Sequence, residues 1–354
     1  MDTQRGNKVV AGVSGGIDSA FAAHYLVSKG FSVTGVTLRF FSGMGKSLER
    51  KDDRTAERAG LVCKNIGIEH VIMDAGRLFT EHVVDYLVNG YDSGETPNPC
   101  IMCNQYIKFP LLKEAAERVG SKWIATGHYA RIRRLDGKPV IAAAADRSKD
   151  QSYFLYRVSG EQLEKTIFPL GEIVKDEIKA EVEKRKIPAA ERESQDICFT
   201  GREGLEPFLE EKLGITAGDV LDVNGNKMGK HRGTSFYTVG QRKGLGISAR
   251  NPLYVVEIDA GKNVIVLGES KHLAAGTAEC RDIRITDGIM DLPLKAKIRY
   301  RHAAVPVEDV RVEGERMTVR FREVQRAVTP GQSLVLYHQD MVVGGGIITG
   351  AGRR

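Results

Sequence analysis

The chain has 354 residues, of which 42% are hydrophobic, and it carries a formal net charge of +6. That length predicts two or three domains, and no apolar run reaches the ~18 residues of a membrane span. The charge permits nucleic-acid binding without arguing for it. We expect a cytoplasmic protein, because the N-terminus runs directly into the first strand and leaves no room for a signal peptide.

The first 130 residues alternate strand and helix signals. Apolar, β-branched runs predict strands at residues 9–10, 32–38, 70–73 and 122–126, and helical spacing predicts helices from Phe21 and at 52–66 and 78–88. Repeated β–α units imply a parallel sheet with helices on both faces. In such sheets, ligands bind beyond the carboxyl ends of the strands.

The remainder of the chain changes character twice. Two prolines predict that residues 95–104 form a non-helical loop, and Asp136-Gly137 predicts the turn of a hairpin over 131–145. Helical patterns follow over 160–186. Short β-rich runs then predict a small central module, and longer alternating runs predict an antiparallel β-barrel. We place the domains at 1–204, 205–275 and 276–354, and barrel strands at 294–300, 317–321, 333–337 and 341–348.

A Gly/Ser loop between the first strand and the first helix carries the clearest chemical signal. Its glycines let the backbone approach a ligand, and its serines and first helical N–H groups can face an anion. No lysine stands in it, which excludes the Gly-Lys-Ser/Thr nucleotide loop. Ser-Gly-Gly-x-Asp-Ser resembles the PP-loop of ATP pyrophosphatases, which grips the pyrophosphate end of ATP. A Gly-rich turn before a core helix is the alternative.

The five cysteines divide into two groups. Cys63, on the apolar face of a predicted helix, and Cys280, before a predicted barrel strand, are interpreted as core residues. Cys100, Cys103 and Cys198 stand in predicted loops, which indicates chemistry. Either a cysteine carries sulfur as a persulfide that a second thiol releases, or three thiolates hold an iron–sulfur cluster with one open iron. A Cys₄ zinc site is disfavoured, because only three cysteines are placed for it.

Seven motifs in order carry a resemblance over essentially the whole chain. They are Ser-Gly-Gly-x-Asp-Ser at 14–19, Thr-Pro-Asn-Pro-x-x-x-Cys-Asn at 96–104, Ala-Thr-Gly-His-Tyr at 125–129, Lys-Asp-Gln-Ser-Tyr-Phe-Leu at 149–155, Asp-Ile-Cys-Phe at 196–199, Gly-Gln-Arg-Lys-Gly-Leu-Gly-Ile at 240–247 and Thr-Pro-Gly-Gln-Ser at 329–333. Together they resemble the bacterial tRNA-specific 2-thiouridylases of the MnmA family. The resemblance implies ATP-dependent replacement of the C2 oxygen by sulfur in the wobble uridine of tRNAs for Lys, Glu and Gln.

The resemblance also implies roles for individual residues. Cys198 would receive a persulfide from a sulfur-carrier protein or desulfurase relay, and Cys103 would assist and pair with it as a disulfide after turnover. ATP, with Mg²⁺, would contact Gly12, Val13, Ser14, Gly15, Gly16, Ile17, Asp18, Ser19, Leu38 and Gly127. The tRNA would contact Asn98, Pro99, Cys100, Lys149, Asp150, Gln151, Arg299 and Tyr300. Arg131, Arg133 and Arg134 are further candidates for phosphate contacts.

One departure from the family matters. Better-known members carry Asp where this chain has Cys100, and a thiol has a reference pKa about four to five units above that of a carboxyl group. Cys100, Cys103 and Cys198 together match the ligand set of iron–sulfur-dependent tRNA thiolases, so a cluster that binds sulfide stays open beside the persulfide route. Two rival functions are a PP-loop synthetase that adenylates a small molecule and a non-catalytic tRNA-binding module.

Overall fold

The structure is a computed structural model, and it describes residues 7–190, 197–200 and 204–352. The chain divides into two compact units. The first comprises Met1–Val83, Cys100–Phe199 and Asp340–Val342, and the second comprises Val84–Pro99, Thr200–Gln339 and Val343–Arg354. None of the helices within the described ranges is both long and apolar enough to cross a membrane.

The first unit is built on a five-stranded parallel sheet of order β3-β2-β1-β4-β7. Its strands, together with the hairpin β5–β6, are β1 Lys8–Gly12, β2 Ser32–Arg39, β3 Glu69–Asp74, β4 Trp123–Ala125, β5 Ala130–Leu135, β6 Lys138–Ala143 and β7 Thr166–Ile167. Its helices are α1 Ile17–Ser28, α2 Lys46–Ile66, α3 Gly76–Phe79, α5 Pro99–Cys103 (with Pro99 assigned to the second unit), α6 Phe109–Arg118, α7 Gly160–Leu163 and α8 Lys175–Lys184. The predicted parallel sheet and the hairpin turn at Asp136-Gly137 are confirmed.

The apolar runs of the sequence form the core of this unit. Val9 and Ala11 of β1 are buried against Ala20 and Leu26 of α1 in one hydrophobic cluster. Cys63 is fully buried in the same cluster, which confirms its interpretation as a core residue. Its Sγ lies only 2.6 Å from where a Cβ on Gly35 would stand, so the glycine in β2 makes room for the thiol.

The prediction of a non-helical loop over 95–104 is confirmed for residues 95–98 and wrong for residues 99–104. Pro99–Cys103 is helical, Asn104–Lys108 forms a π-helical segment, and α6 follows directly. Proline is tolerated in the first turn of a helix, where its missing N–H has no intrahelical partner to lose. A second π-helical segment spans Thr80–Val84. The helical prediction over 160–186 is broken by β7 between α7 and α8.

The second unit contains a small mixed sheet and a closed antiparallel barrel. The small sheet has the order β10-β11-β8-β9, and the six strands of the barrel have the order β12-β15-β14-β13-β16-β17, closed by pairing of β12 with β17. The elements are α4 Asp85–Asp92, α9 Leu205–Leu213, β8 Gly218–Asp222, β9 Lys227–His231, β10 Tyr254–Asp259, β11 Val264–Gly268, β12 Ala274–Ile285, β13 Leu294–Lys297, β14 Val305–Glu313, β15 Arg316–Arg326, β16 Ser333–His338 and β17 Met341–Gly352. The predicted barrel is therefore confirmed.

Two details of the barrel differ from prediction. Cys280 lies within β12 and not before a strand, although it is buried as expected. The strand predicted over 294–300 ends at Lys297, so Arg299 and Tyr300 follow it.

Candidate active site

The strand order of the first unit reverses at β1. The chain passes from β1 to β2 and β3 on one side, then returns to place β4 on the other side of β1. Open α/β sheets bind ligands in the crevice at such a switch point, beyond the carboxyl ends of the strands. The Gly/Ser loop leaves β1 here, and Gly127 follows β4 at the same edge.

Hydrogen bonds between Ser14 and Ser19 connect the Gly/Ser loop to the start of α1. The Ser19 Oγ accepts from the Ser14 amide at 3.0 Å and lies 3.1 Å from the Ser14 Oγ, which is exposed. Gly15 has a φ of 71°, which favours glycine, and its carbonyl accepts from the Ala190 amide. The N-cap residue, Gly16, has no side chain with which to cap α1. The first amides of the helix are thus left for an anion.

Gly127 lies directly against this helix start. A Cβ at Gly127 would stand 2.9 Å from the Ser19 nitrogen and 3.0 Å from the Asp18 carbonyl carbon, so only glycine allows the approach. Leu38, near the end of β2, is half-buried. Residues 12–19, 38 and 127 therefore gather at one edge of one unit, as predicted, while their contact with ATP stays a prediction.

Asp18 has two partners that the sequence analysis did not identify. Its Oδ1 accepts a hydrogen bond from the Tyr129 hydroxyl at 2.6 Å and an ion-pair contact from the Lys175 Nζ at 2.5 Å. Lys175 begins α8 and is only 3% exposed, whereas the Asp18 side chain is 32% exposed. A buried ammonium group therefore stands beside the Gly/Ser loop.

The motif at 149–155 forms hydrogen bonds with the backbone of Tyr129, whose hydroxyl contacts Asp18. The Gln151 amide donates to the Tyr129 carbonyl at 2.8 Å, and the Gln151 Oε1 accepts from the Tyr129 amide at 2.9 Å. Asp150 is buried, and its carboxylate accepts from the amides of Ala144 and Ser152 and from the Ser152 hydroxyl. These contacts give Asp150 and Gln151 structural roles. Contact of Lys149, Asp150 and Gln151 with tRNA stays a prediction.

Cys100 and Cys103 stand three residues apart in α5, which places them on one face of a helical turn. Cys100 is exposed and Cys103 is buried. Immediately after them, the Asn104 Nδ2 donates to the Phe154 carbonyl at 3.0 Å, so the motif at 149–155 also anchors the helix that carries the thiols.

Cys198 is held from two sides. The Lys51 Nζ donates to its carbonyl oxygen at 2.5 Å. The next residue, Phe199, is 2% exposed and packs edge-on against Phe79 with ring centroids 5.3 Å apart. The phenylalanine of the Asp-Ile-Cys-Phe motif therefore positions the cysteine, while Asp196 of that motif lies outside the described residues.

Cys103 is buried, whereas Cys100 and Cys198 are exposed, and we call the region that these three thiols occupy in the first unit the thiol recess. Desolvation raises the pKa of Cys198 to about 12 and that of Cys103 to about 11, and it also raises the pKa of Cys100. Cys103 and Cys100 raise the pKa of Cys198 further. The charge of Lys108 lowers the pKa of all three thiols, but burial outweighs it. The three thiols are therefore protonated at neutral pH.

His128 belongs to the motif at 125–129 and directly follows Gly127. Its Nδ1 lies 2.7 Å from the Thr126 Oγ1, and its ring stacks on Phe109. Burial, and then the charge of Lys108, lower the pKa of His128 well below its ordinary value. The imidazole is therefore neutral at pH 7.

The cysteines as placed do not form a metal-ligand set. Within residues 7–190, 197–200 and 204–352, no three or more His, Cys, Asp or Glu side chains are grouped in positions that could hold a metal ion. Binding of an iron–sulfur cluster by Cys100, Cys103 and Cys198 stays a prediction, and no step below passes through one.

The remaining predicted tRNA contacts belong to the second unit, apart from Cys100. Asn98 is half-buried and Pro99 is buried. The Arg299 Nη2 donates to the Val239 carbonyl at 2.7 Å and to the Thr329 hydroxyl, so it joins the motif at 240–247 to that at 329–333. Tyr300 lies under the Lys297 ammonium at 6.0 Å. Contact of these residues with tRNA stays a prediction.

Comparisons with known proteins agree with this architecture. Three family models match in order: the tRNA methyl transferase HUP domain at residues 7–202, the tRNA methyl transferase PRC-barrel domain at 206–269 and the aminomethyltransferase beta-barrel domain at 279–348. A solved 4-thiouridine synthetase–RNA complex with bound ATP is 20% identical, with a TM-score of 0.35, over 51% of this chain and 40% of that one.

Curated relatives match from end to end. The tRNA-specific 2-thiouridylase MnmA of Pelobacter propionicus is 41% identical over 354 residues, covering 98% of this chain and 99% of that protein. The protein of the same name from a Picosynechococcus strain is 43% identical over 352 residues, covering 96% and 98%. The chain therefore belongs to the tRNA-specific 2-thiouridylase family.

Proposed function

We propose that this protein performs ATP-dependent 2-thiolation of the wobble uridine of tRNAs for Lys, Glu and Gln. One observation carries the proposal: the unit that presents the Gly/Ser loop at a sheet switch point also carries Cys100 and Cys103 in one helical turn, together with Cys198. An ATP pyrophosphatase that adenylates a small molecule has no need of such a cluster. End-to-end similarity to the thiouridylases supports the same substrate class.

The first half of the reaction activates a poor electrophile. The uridine O2 attacks the α-phosphorus of ATP, the bond to the β-phosphate oxygen breaks, and pyrophosphate departs toward the amides at the start of α1. Lys175, beside Asp18, is placed to offset the negative charge of the phosphates. The C2 substituent is now AMP, a far better leaving group than oxide.

The second half transfers sulfur. The terminal sulfur of a Cys198 persulfide attacks C2 and AMP leaves. The Cys103 thiolate then attacks the Cys198 sulfur, which releases the thiocarbonyl of 2-thiouridine and forms a Cys103–Cys198 disulfide. Alternatively, Cys103 attacks the persulfide first, and the hydrosulfide so released attacks C2. Both orders end in the same disulfide, which a dithiol reductant resets.

Asp18 and the ATP phosphates fit Mg²⁺, which proteins usually bind through one or two carboxylates and substrate phosphates. Mg²⁺ would supply further neutralisation of phosphate charge. The persulfide would come from a sulfur-carrier protein or a desulfurase relay. A tRNA substrate also places the proposed activity in the cytoplasm.

The test incubates the purified chain with ATP, Mg²⁺, bulk tRNA and a protein persulfide, and measures 2-thiouridine in digested tRNA. We expect the Cys198→Ser variant to release pyrophosphate with tRNA but to make no 2-thiouridine. Cys63→Ala is the matched control, because Cys63 is buried in the core of the same unit, and it should retain thiolation.

Three results would redirect the proposal. Strong pyrophosphate release without tRNA would favour a synthetase that adenylates a small molecule. Thiolation by Cys198→Ser would exclude the persulfide route. Stoichiometric iron and acid-labile sulfide in protein purified without air, lost in Cys100→Ala, would mean that the three cysteines rearrange to bind a cluster.

A further inference from the structure

The π-helical segment Asn104–Lys108 changes which residue faces the thiols. In an α-helix, residues five apart are separated by about 140° around the axis, since each turn takes about 3.6 residues. In a π-helical turn the hydrogen bond spans five residues, as when the Phe109 amide donates to the Asn104 carbonyl. Residues five apart, such as Cys103 and Lys108, are thereby brought toward the same face.

The positive charge of the Lys108 ammonium group acts on all three thiols of this recess. Its charge favours the anionic form of Cys100, Cys103 and Cys198. Lys51 acts in the same sense on Cys198. Lys108 itself is half-buried, so its charge is less screened by water than that of an exposed lysine.

The sulfur half of the reaction needs such a charge. A persulfide anion attacks C2, a thiolate attacks the Cys198 sulfur, and a thiolate or hydrosulfide leaves. Each anion forms in a recess whose desolvation favours the neutral thiols. A cation one π-helical turn from Cys103, whose charge favours all three anions, offsets that cost during the reaction.

We propose that Lys108 stabilises the anionic sulfur species of the thiol recess and is required for sulfur transfer but not for adenylation. The proposal rests on the proposed thiolation function and adds a residue to it. Lys108 moves no proton and forms no bond. It lowers the free energy of whichever sulfur carries the negative charge.

The test compares Lys108→Gln and Lys108→Arg with the parent protein. Lys113→Gln is the matched control, because Lys113 lies five residues further along in α6 and pairs at the surface with Glu161. For each protein, pyrophosphate release with tRNA reports adenylation, and 2-thiouridine formed in a single turnover from a preloaded persulfide reports sulfur transfer. Alkylation of the thiols by iodoacetamide at pH 8 reports thiolate content without tRNA.

We expect Lys108→Gln to lower sulfur transfer and thiol alkylation by about tenfold or more, as for loss of a neighbouring opposite charge. Pyrophosphate release should stay within about twofold of the parent. Lys108→Arg, which keeps the charge, should recover most of both losses, and Lys113→Gln should match the parent.

Equal losses of adenylation and thiolation in Lys108→Gln would overturn the proposal, as would failure of the arginine variant to recover, or unchanged alkylation. A parent protein that makes no 2-thiouridine would instead refute the proposed function. The alkylation result still tests the charge effect in that case.

Discussion

Replacing Lys175 tests whether the buried ion pair beside the Gly/Ser loop serves catalysis or only folding. Lys175 is 3% exposed, and its Nζ lies 2.5 Å from the Asp18 Oδ1. The two obvious variants break the same contact in different ways. Lys175→Met replaces the ammonium by an apolar group of similar length, while Asp18→Asn leaves the ammonium buried without its carboxylate.

The two variants should differ in stability. Removing one partner of a buried ion pair typically costs about 3–5 kcal/mol. For Asp18→Asn we expect the lower end, about 3 kcal/mol, because solvent at the 32%-exposed Asp18 side chain screens the pair. Lys175→Met leaves Asp18 bound to the Tyr129 hydroxyl and open to water, so the loss should be about 1 kcal/mol.

Lys175→Met should lose much of its adenylation activity, although it loses the less stability of the two variants. Loss of one charge-stabilising group at a transition state typically costs about 10²–10³ in kcat. Lys175→Met should therefore lose tRNA-dependent pyrophosphate release by about that factor, although its fold is nearly as stable as that of the parent. Tyr129→Phe, which removes one hydrogen bond to Asp18 and no charge, is the control and should lose far less activity.

Unfolding is conveniently followed here, because the single tryptophan, Trp123, lies in β4 beside β1 of the same sheet. Urea titrations followed by Trp123 fluorescence give the stability of the three variants, and pyrophosphate release gives their activity. Parent-like activity in Lys175→Met would refute the catalytic reasoning. A larger stability loss in Lys175→Met than in Asp18→Asn would refute the electrostatic reasoning.

Three further predictions concern other parts of the chain. Gly35→Ala should destabilise the protein by about 1–3 kcal/mol, because the new Cβ would meet the Cys63 Sγ at 2.6 Å, and urea titration should show most of that loss removed in a Cys63→Ala background. Alkylation of Cys198, which is exposed and whose pKa is raised to about 12, should become about tenfold faster for each pH unit from 7 to 10, and a plateau below pH 9 would contradict the raised pKa. Arg133, half-exposed and 3.7 Å from Asp340, should act as a phosphate contact. Arg133→Ala should then weaken tRNA binding and reduce the salt slope by about one, and an unchanged slope would exclude the contact.

Sequence patterns predicted an element correctly where interactions between residues close in sequence determine its structure. The Asp136-Gly137 turn fixed the hairpin, and the apolar runs around Val9 and Val36 fixed two neighbouring strands. Two barrel strands were missed for local reasons as well. β14 contains Pro306, which weakens a strand pattern, and β12 is rich in small residues with low β-propensity.

The Pro-rich segment before the thiols shows how one residue type supports opposite readings. Prolines at 97 and 99 predict a non-helical loop, yet Pro99 begins α5. Proline is well tolerated in the first helical turn, although it is strongly disfavoured in the interior. What distinguishes the two here is the helical continuation through the π-helical segment and α6, which buries Ile107 and Phe109. That burial depends on tertiary contacts, which spacing alone does not show.

Neither Lys175 nor Lys108 belongs to a sequence motif, and the physical reason is the same for both. Lys175 meets Asp18 across 157 residues of sequence, and the π-helical turn that brings Lys108 toward the face of Cys103 has no signature in the sequence. Neither position has a local signature, since a lysine in a helix is ordinarily a solvated surface residue.

The segment that follows β4 contacts the Gly/Ser loop and is also affected by the charge of Lys108. Gly127 packs against the backbone of Asp18 and Ser19, and the next residue, His128, feels the charge of Lys108. The Gly/Ser loop and the thiol recess therefore lie in the same unit. Under the proposed function, negative charge develops first on the phosphates and then on sulfur, and the chain provides a separate lysine for each. Because each cation serves one half-reaction, Lys175→Met should block AMP transfer while leaving thiol alkylation unchanged, and Lys108→Gln should do the reverse.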